Sequence, residues 1–539
     1  MIAAAAAPAA CEPPPAPRAH PVRLVVLVSV DQLLPDQLEK YDSLFTGGLR
    51  RLRDEGFRYT QAEHRFAWTK TAPGHATLAT GTYPCGHGIV SNDWWQEGAE
   101  GWFEMYAVGD SESPLVGVSA PRQMGRSPAN LARSGLADWI EAADRHARVV
   151  SISRKDRAAI PMAGRTTGHV YWTAPGETKF VTSRYYRRSL PDWVRRFNDN
   201  SMPSFVRSKW DLELSSEQQA FARPDSFPGE GDRGIATFPH VMADEVDDNT
   251  TPELHEWWVD SPFPDEAVLA LAREAIAELE LGRRGTLDYL ALGLSSTDEI
   301  GHDFGPHSLE VLDNLMRLDR LLGELLDVLD TAAGPGGWVL ALSADHGVLP
   351  LPERRWDNGL EAHRVERAQI RSARALRDEI LADGEADAID RLAEGLERFE
   401  WIERVVSAER LLADAAGDQT DLDADLRELS ENLPGLNGDL GVLIRNSSFS
   451  GRFANDLGPM KLALIFRPGT LLGYYEKGTD HGSPYWYDRH VPVIFMGGGV
   501  EPGLSDDRVS TADVAPTLAD LAGVPFPPDL DGRPLRTRP

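Results

Sequence analysis

The sequence predicts an α/β protein: a doubly wound, mostly parallel sheet flanked by helices and elaborated by capping insertions. Three observations carry that expectation. Apolar runs such as Leu24-Val25-Val26-Leu27-Val28-Ser29-Val30 are continuous rather than alternating, as strands buried on both faces of a parallel sheet require. Helical patterns lie between several of these runs. Acids and histidines gather where the runs end, which is where open α/β sheets bind their ligands.

In chain order, the first run ends at Asp31. Further strands are predicted at Val149-Val150-Ser151-Ile152, Tyr289–Leu294, Trp338–Leu342 and Val493-Ile494-Phe495-Met496. From Ser308 to Ala333, Val311, Leu312, Leu315, Leu318, Leu322, Leu325, Leu326 and Leu329 recur at helical spacing between charged residues. Two segments break this rhythm. Residues 165–260 are rich in Trp, Tyr, Pro and Asp, and residues 355–470 begin as charged helical sequence and end in strand-like Gly441-Val442-Leu443-Ile444 and Leu462–Phe466. Both read as insertions on one catalytic domain spanning 22–539. The aromatics of the first, Tyr171, Trp172, Tyr185, Tyr186 and Trp193, read as core rather than as a substrate entrance.

A chain of 539 residues that is 42% hydrophobic can bury a large core. Its formal charge of −29 argues against a nucleic acid polymer as partner, because phosphate backbones need a basic face. Two cysteines, Cys11 and Cys85, furnish no disulfide framework and no cysteine-rich zinc module, so any metal is expected on histidine and carboxylate. No run reaches the length of a transmembrane span. Residues 1–21, mostly alanine and proline, read as a disordered leader or signal remnant. A lipid anchor at Cys11 is disfavoured, since the leader lacks a basic start and a leucine three residues before the cysteine.

The chemistry centres on Thr69-Lys70-Thr71-Ala72-Pro73-Gly74-His75. Thr71 precedes by two residues a proline suited to a first helical turn, and small residues follow it. A helix N-terminus favours both an alkoxide and an incoming phosphate. The dipole contributes only about 0.3–1 kcal/mol at exposed positions, so a threonine nucleophile needs a stronger activator such as a metal ion. Candidate ligands stand at the ends of core strands: Asp31, Asp298 with His302, Asp345-His346-Gly347, and Asp480-His481-Gly482. Taken singly, each has an ordinary explanation as a helix cap, turn or packed histidine. Their coincidence at strand ends points to a carboxylate and imidazole site of the kind zinc prefers.

These motifs, with the C-terminal Asp513-Val514-Ala515-Pro516-Thr517-Leu518, resemble the alkaline phosphatase superfamily. The match lies in its type I phosphodiesterase/nucleotide pyrophosphatase branch, and within that in the threonine-nucleophile, PafA-like alkaline phosphatases. The resemblance implies an alkaline-phosphatase-like fold, Thr71 as nucleophile and a phosphothreonine intermediate. It implies two zinc ions: one on Asp298, His302 and His481, the other on Asp31, Asp345, His346 and Thr71. Ser151-Ile152-Ser153-Arg154-Lys155-Asp156-Arg157 resembles the Lys-x-Arg signature of the monoesterases, so Lys155 and Arg157, with Asn92, are expected on the phosphoryl oxygens. No separate Mg²⁺ site is expected, because Lys155 and Arg157 resemble the groups that replace it. Small phosphate monoesters are the implied substrates, and a periplasmic or secreted location is implied too. A sulfatase is excluded, because Cys85 is followed by Gly86-His87-Gly88 rather than by a Cys-x-Pro-x-Arg motif. A phosphodiesterase or nucleotide pyrophosphatase of the same branch remains open, as does a non-catalytic zinc-dependent phosphate-binding protein.

Overall fold

A computed structural model describes residues 22–99, 101–118, 124–231, 235–242, 251–382, 384–407, 421–473 and 476–539. The expected leader and Cys11 lie outside the described residues. The central sheet has ten strands: β1 (Leu24–Val30), β2 (Phe57–Glu63), β3 (Leu115–Val116), β4 (Val149–Ser153), β5 (His169–Thr173), β6 (Phe180–Ser183), β7 (Asp288–Leu294), β8 (Trp338–Ser343), β9 (Val493–Gly497) and β10 (Gly503–Ser510). Their order is β10-β2-β9-β8-β1-β7-β4-β5-β6-β3. The middle, from β8 through β1, β7 and β4 to β5, is parallel throughout. The strand expected at Val493 forms, but pairs antiparallel with β8.

The continuous apolar runs follow from coverage on both faces. On β1, Leu24, Val26, Val28 and Val30 join one hydrophobic cluster, and Val25 and Leu27 the other. Against the first face packs α4 (Leu309–Ala333), the predicted long helix, with Leu315, Leu318, Leu322, Leu325 and Leu329 buried. Each such side chain contributes about 1.5–3 kcal/mol. Against the second face pack α5 (Val514–Ala522) and Leu78 of α1 (Thr71–Thr80).

Helix α1 is buried along all ten residues, so it lacks the polar stripe of a surface helix. It begins at Thr71, and Gly81 ends it with φ of +68°. Gly74 lets it press onto the end of β8: a Cβ there would stand 2.1 Å from the Asp345 carbonyl oxygen. Gly74→Ala is therefore expected to cost about 1–3 kcal/mol and to displace Asp345. Denaturant titration checks this, and an unchanged midpoint would refute the close approach.

The first expected insertion supplies β5 and β6, so the sheet itself continues into residues 165–260. Tyr171, Trp172, Tyr186 and Trp193 are buried there, in agreement with the core reading, whereas Tyr185 is half-buried. The second carries its own antiparallel pair, Ile402–Ser407 with Leu462–Phe466, over a separate cluster containing Ile370, Leu392 and Trp401. One expectation fails: Gly441–Ile444 is helical, within Leu440–Ser447, because the Asp439 side chain accepts from the Val442 N–H and caps a helix start.

Candidate active site

Four adjacent parallel strands deliver the site. Asp31 follows β1, Asp345 and His346 follow β8, and Lys155 follows β4 at the start of α2 (Asp156–Met162). After β7, α3 (Ser296–Phe304) carries Asp298 in its first turn and His302 one turn on. His481 arrives from the loop before β9, and Thr71 is the first residue of α1. The structure thus gathers the six expected carboxylate and imidazole residues, and Thr71 stands at the head of α1 with its carbonyl 2.9 Å from His75 Nδ1.

Asp298, His302 and His481 present ligand atoms within 4.8 Å of one another, and so do Asp31, His75 and Asp345. His346 stands between the groups, its Nε2 being 3.2 Å from Asp345 Oδ2 and 4.0 Å from Asp298 Oδ1. Its ring stacks on that of His481 with centroids 3.4 Å apart. Four imidazoles are oriented alike. The Nδ1 of His75, His302, His346 and His481 lies 2.9, 2.8, 3.0 and 2.6 Å from the carbonyls of Thr71, Thr479, Gly347 and Thr69. With Nδ1–H donating there, each Nε2 faces the acids, the arrangement that suits a histidine ligand.

His75 is the residue that strand-end reasoning missed. It lies one helical turn beyond Thr71, so the i, i+4 relation on α1 was the available signal. Its Nε2 is 3.2 Å from Asp31 Oδ1 and its Nδ1 is 3.4 Å from Asp345 Oδ2. Burial alone would lower its pKa, but the Asp31 and Asp345 carboxylates more than offset this and raise it. Gln32 was missed as well. Its backbone N–H donates to Asp345 Oδ1 and its side chain to Asp298 Oδ1, at 3.2 and 2.8 Å, so one residue ties the two groups together. A φ of +67° is uncommon for glutamine and accompanies this double contact.

Lys155 sits among the acids. Its buried ammonium donates to Asp298 and lies 3.1 Å from Asp31 Oδ2 and 3.4 Å from Glu299 Oε1. Burial disfavours the charged lysine, yet Asp298 and Asp31 outweigh it and raise the pKa. Asp298 is held well below the usual carboxylate range, the cost of burial being overcome by Lys155 and His302. Arg157 is partly buried beside Tyr106, Asp156 and Glu299. Asn92 accepts from the Ala72 N–H at 2.8 Å and so docks on the first turn of α1.

The donor set fits divalent cations. Among the described residues, both Asp31 carboxylate oxygens, Asp345 Oδ2, His75 Nε2 and His346 Nε2 are buried and make no hydrogen bond, meeting only the charged contacts given above. Buried polar atoms are otherwise nearly always satisfied. Oxygen and imidazole donors converging in this way match the preferences of zinc-like ions.

Residues 25–486 match the type I phosphodiesterase / nucleotide pyrophosphatase family. The chain is 30% identical over 532 residues to alkaline phosphatase PafA of Elizabethkingia meningoseptica, covering 95% of this chain and 94% of that protein. It is 28% identical to alkaline phosphatase PhoV of Synechococcus elongatus, covering 95% and 92%. The crystal structure of wild-type PafA superposes with a TM-score of 0.82 at 28% identity, over 95% of this chain and 98% of that one. The chain belongs to the type I phosphodiesterase / nucleotide pyrophosphatase family of the alkaline phosphatase superfamily, and it is a phosphoester hydrolase.

Proposed function

We propose that the protein is a phosphate monoesterase, an alkaline phosphatase, working through a phosphothreonine on Thr71 with two zinc ions. The observation that carries this reading is the juxtaposition of Thr71, at the head of a buried helix, with two groups of imidazole and carboxylate ligands. Asp298, His302 and His481 would hold one ion, and Asp31, Asp345, His346 and Thr71 the other. Bound there, the ions would lower the pKa of the attacking hydroxyl and water, and stabilise charge on the phosphoryl and leaving oxygens.

The chain's own groups do the rest. The Thr71 oxygen attacks phosphorus, the ester bond to the alcohol breaks, and water later cleaves the phosphothreonine to return Thr71 and inorganic phosphate. At the start of α1 the Ala72 N–H is held by Asn92, Pro73 has none and the Gly74 N–H is held by the Lys70 carbonyl, so the helix dipole rather than a cradle of free donors favours the anionic nucleophile and the phosphate. With its carbonyl spent on Ala72, Asn92 offers its amide N–H groups to a phosphoryl oxygen. Arg157 and Lys155 are assigned to the extra negative charge of a monoester. His75, one turn beyond Thr71, stands with Nε2 3.2 Å from the Asp31 carboxylate. Kinship with proteins named alkaline phosphatases supports the monoester reading, and the periplasmic or secreted location is proposed from the resemblance alone.

The test compares an aryl phosphate with its methyl aryl diester in Arg157→Ala and Asn92→Ala. Lys155 is a poorer choice, because removing it also strips the charge between Asp31 and Asp298. We expect monoester kcat/KM to fall about 10²-fold further than diester kcat/KM, roughly 2.7 kcal/mol of selective transition-state stabilisation. Equal losses would favour a diesterase, the other reading the family match supports.

A further inference from the structure

Beside the catalytic centre lies a cleft of about 520 Å³, within the roughly 300–1,000 Å³ of small-molecule sites. Lys70 and Asn92, which flank the first turn of α1, are among its lining residues. One wall belongs to the core and presents Trp68, Trp95, Ser91, Asp93 and Glu104. Trp95 and Glu104 face each other across the Asp93–Gly98 and Gly101–Tyr106 strands. The 454–459 loop, which follows Phe453, the strand partner of Trp95, lines the cleft as well, together with Arg374 and Arg377.

The cations of the cleft are engaged with protein carbonyls. Lys70 Nζ donates to the His481 carbonyl at 2.9 Å, Arg374 to that of Asp456 at 2.9 Å, and Arg377 to that of Leu457. Three acids, Asp93, Glu104 and Asp456, balance the three cations. Such a cleft does not select a second anionic group. It combines partly exposed indole surface with carboxylate and hydroxyl acceptors, which suits a neutral ring with one apolar face and hydroxyls at its edge.

We propose that this cleft is the leaving-group subsite and that it selects a sugar ring, making sugar phosphates the preferred monoesters. The inference rests on the monoesterase reading. The ring lies against Trp95 and Trp68, and its hydroxyls donate to Glu104, Asp93 and Ser91.

Glucose 6-phosphate and ethyl phosphate, which both expel a primary alkoxide, test it. Metal-loaded wild type is expected to show kcat/KM at least about tenfold higher for the sugar phosphate. Trp95→Ala and Glu104→Gln should bring that ratio towards one while leaving ethyl phosphate turnover within about twofold of wild type. A ratio near one in the wild type, or equal losses on both substrates in the variants, overturns the subsite while leaving the monoesterase reading intact. A Trp95-dependent preference for adenosine monophosphate over glucose 6-phosphate overturns the sugar assignment in favour of a base. Turnover of neither ester overturns the monoesterase reading and the subsite with it.

Discussion

Thr71→Ala is expected to lower kcat/KM for an aryl phosphate by at least about 10³-fold, some 4 kcal/mol, while zinc content stays near normal. The size of the effect follows from chemistry: alanine has no oxygen to carry a covalent phosphoryl group. Metal retention follows from geometry, because three protein ligands remain in each proposed set after the hydroxyl is gone. Thr71 is buried at the start of a fully packed helix, so losing its hydroxyl and methyl is expected to cost about 1–2 kcal/mol, a loss a chain of this size survives folded. Rapid quench with labelled substrate should show acid-stable phosphoprotein in the wild type and none in the variant. Wild-type turnover by Thr71→Ala would remove Thr71 as the nucleophile.

Removal of metal is the second large effect. Asp31, Asp298 and Asp345 are buried close together, and both Asp31 oxygens and Asp345 Oδ2 make no hydrogen bond among the described residues. Cations that bind only the folded state stabilise it by about 2.7 kcal/mol at a hundredfold excess over Kd. For a chain of this size, EDTA dialysis should therefore lower Tm by at least about 5 °C and abolish turnover, with added zinc restoring both. Elemental analysis should give two zinc ions per chain, and Asp298→Ala should retain fewer. An Asp298→Ala variant that still holds two ions, or metal-free protein with full activity and unchanged Tm, would sink the assignment.

The sequence made the catalytic end of the sheet legible because its strands are covered on both faces. Continuous apolar runs located β1, β4, β7 and β8, and polar residues just beyond each run were then conspicuous. Thr71 was legible as a hydroxyl at a helix start, and Asn92 only through the resemblance, since an asparagine in a loop is common. His75 escaped because it belongs to a helix rather than a strand end. Gln32 escaped because nothing in its local sequence demands a left-handed backbone. Gly441–Ile444 was misread because four apolar residues fit a strand as well as a helix face, and Asp439 decides between them. The cleft beside Asn92 is lined by residues distant in sequence, and only folding brings Trp95 and the 454–459 loop to one cleft.

The proposed ligands are scattered from Asp31 near one end of the chain to His481 near the other. A nascent polypeptide therefore displays its first acids long before the final imidazole leaves the ribosome. At about 5–20 residues per second, that interval lasts tens of seconds. During synthesis the acids have no completed centre to enter, so ion capture belongs to the finished chain. A chain cut short before His481 carries the carboxylates without the last imidazole of the proposed centre.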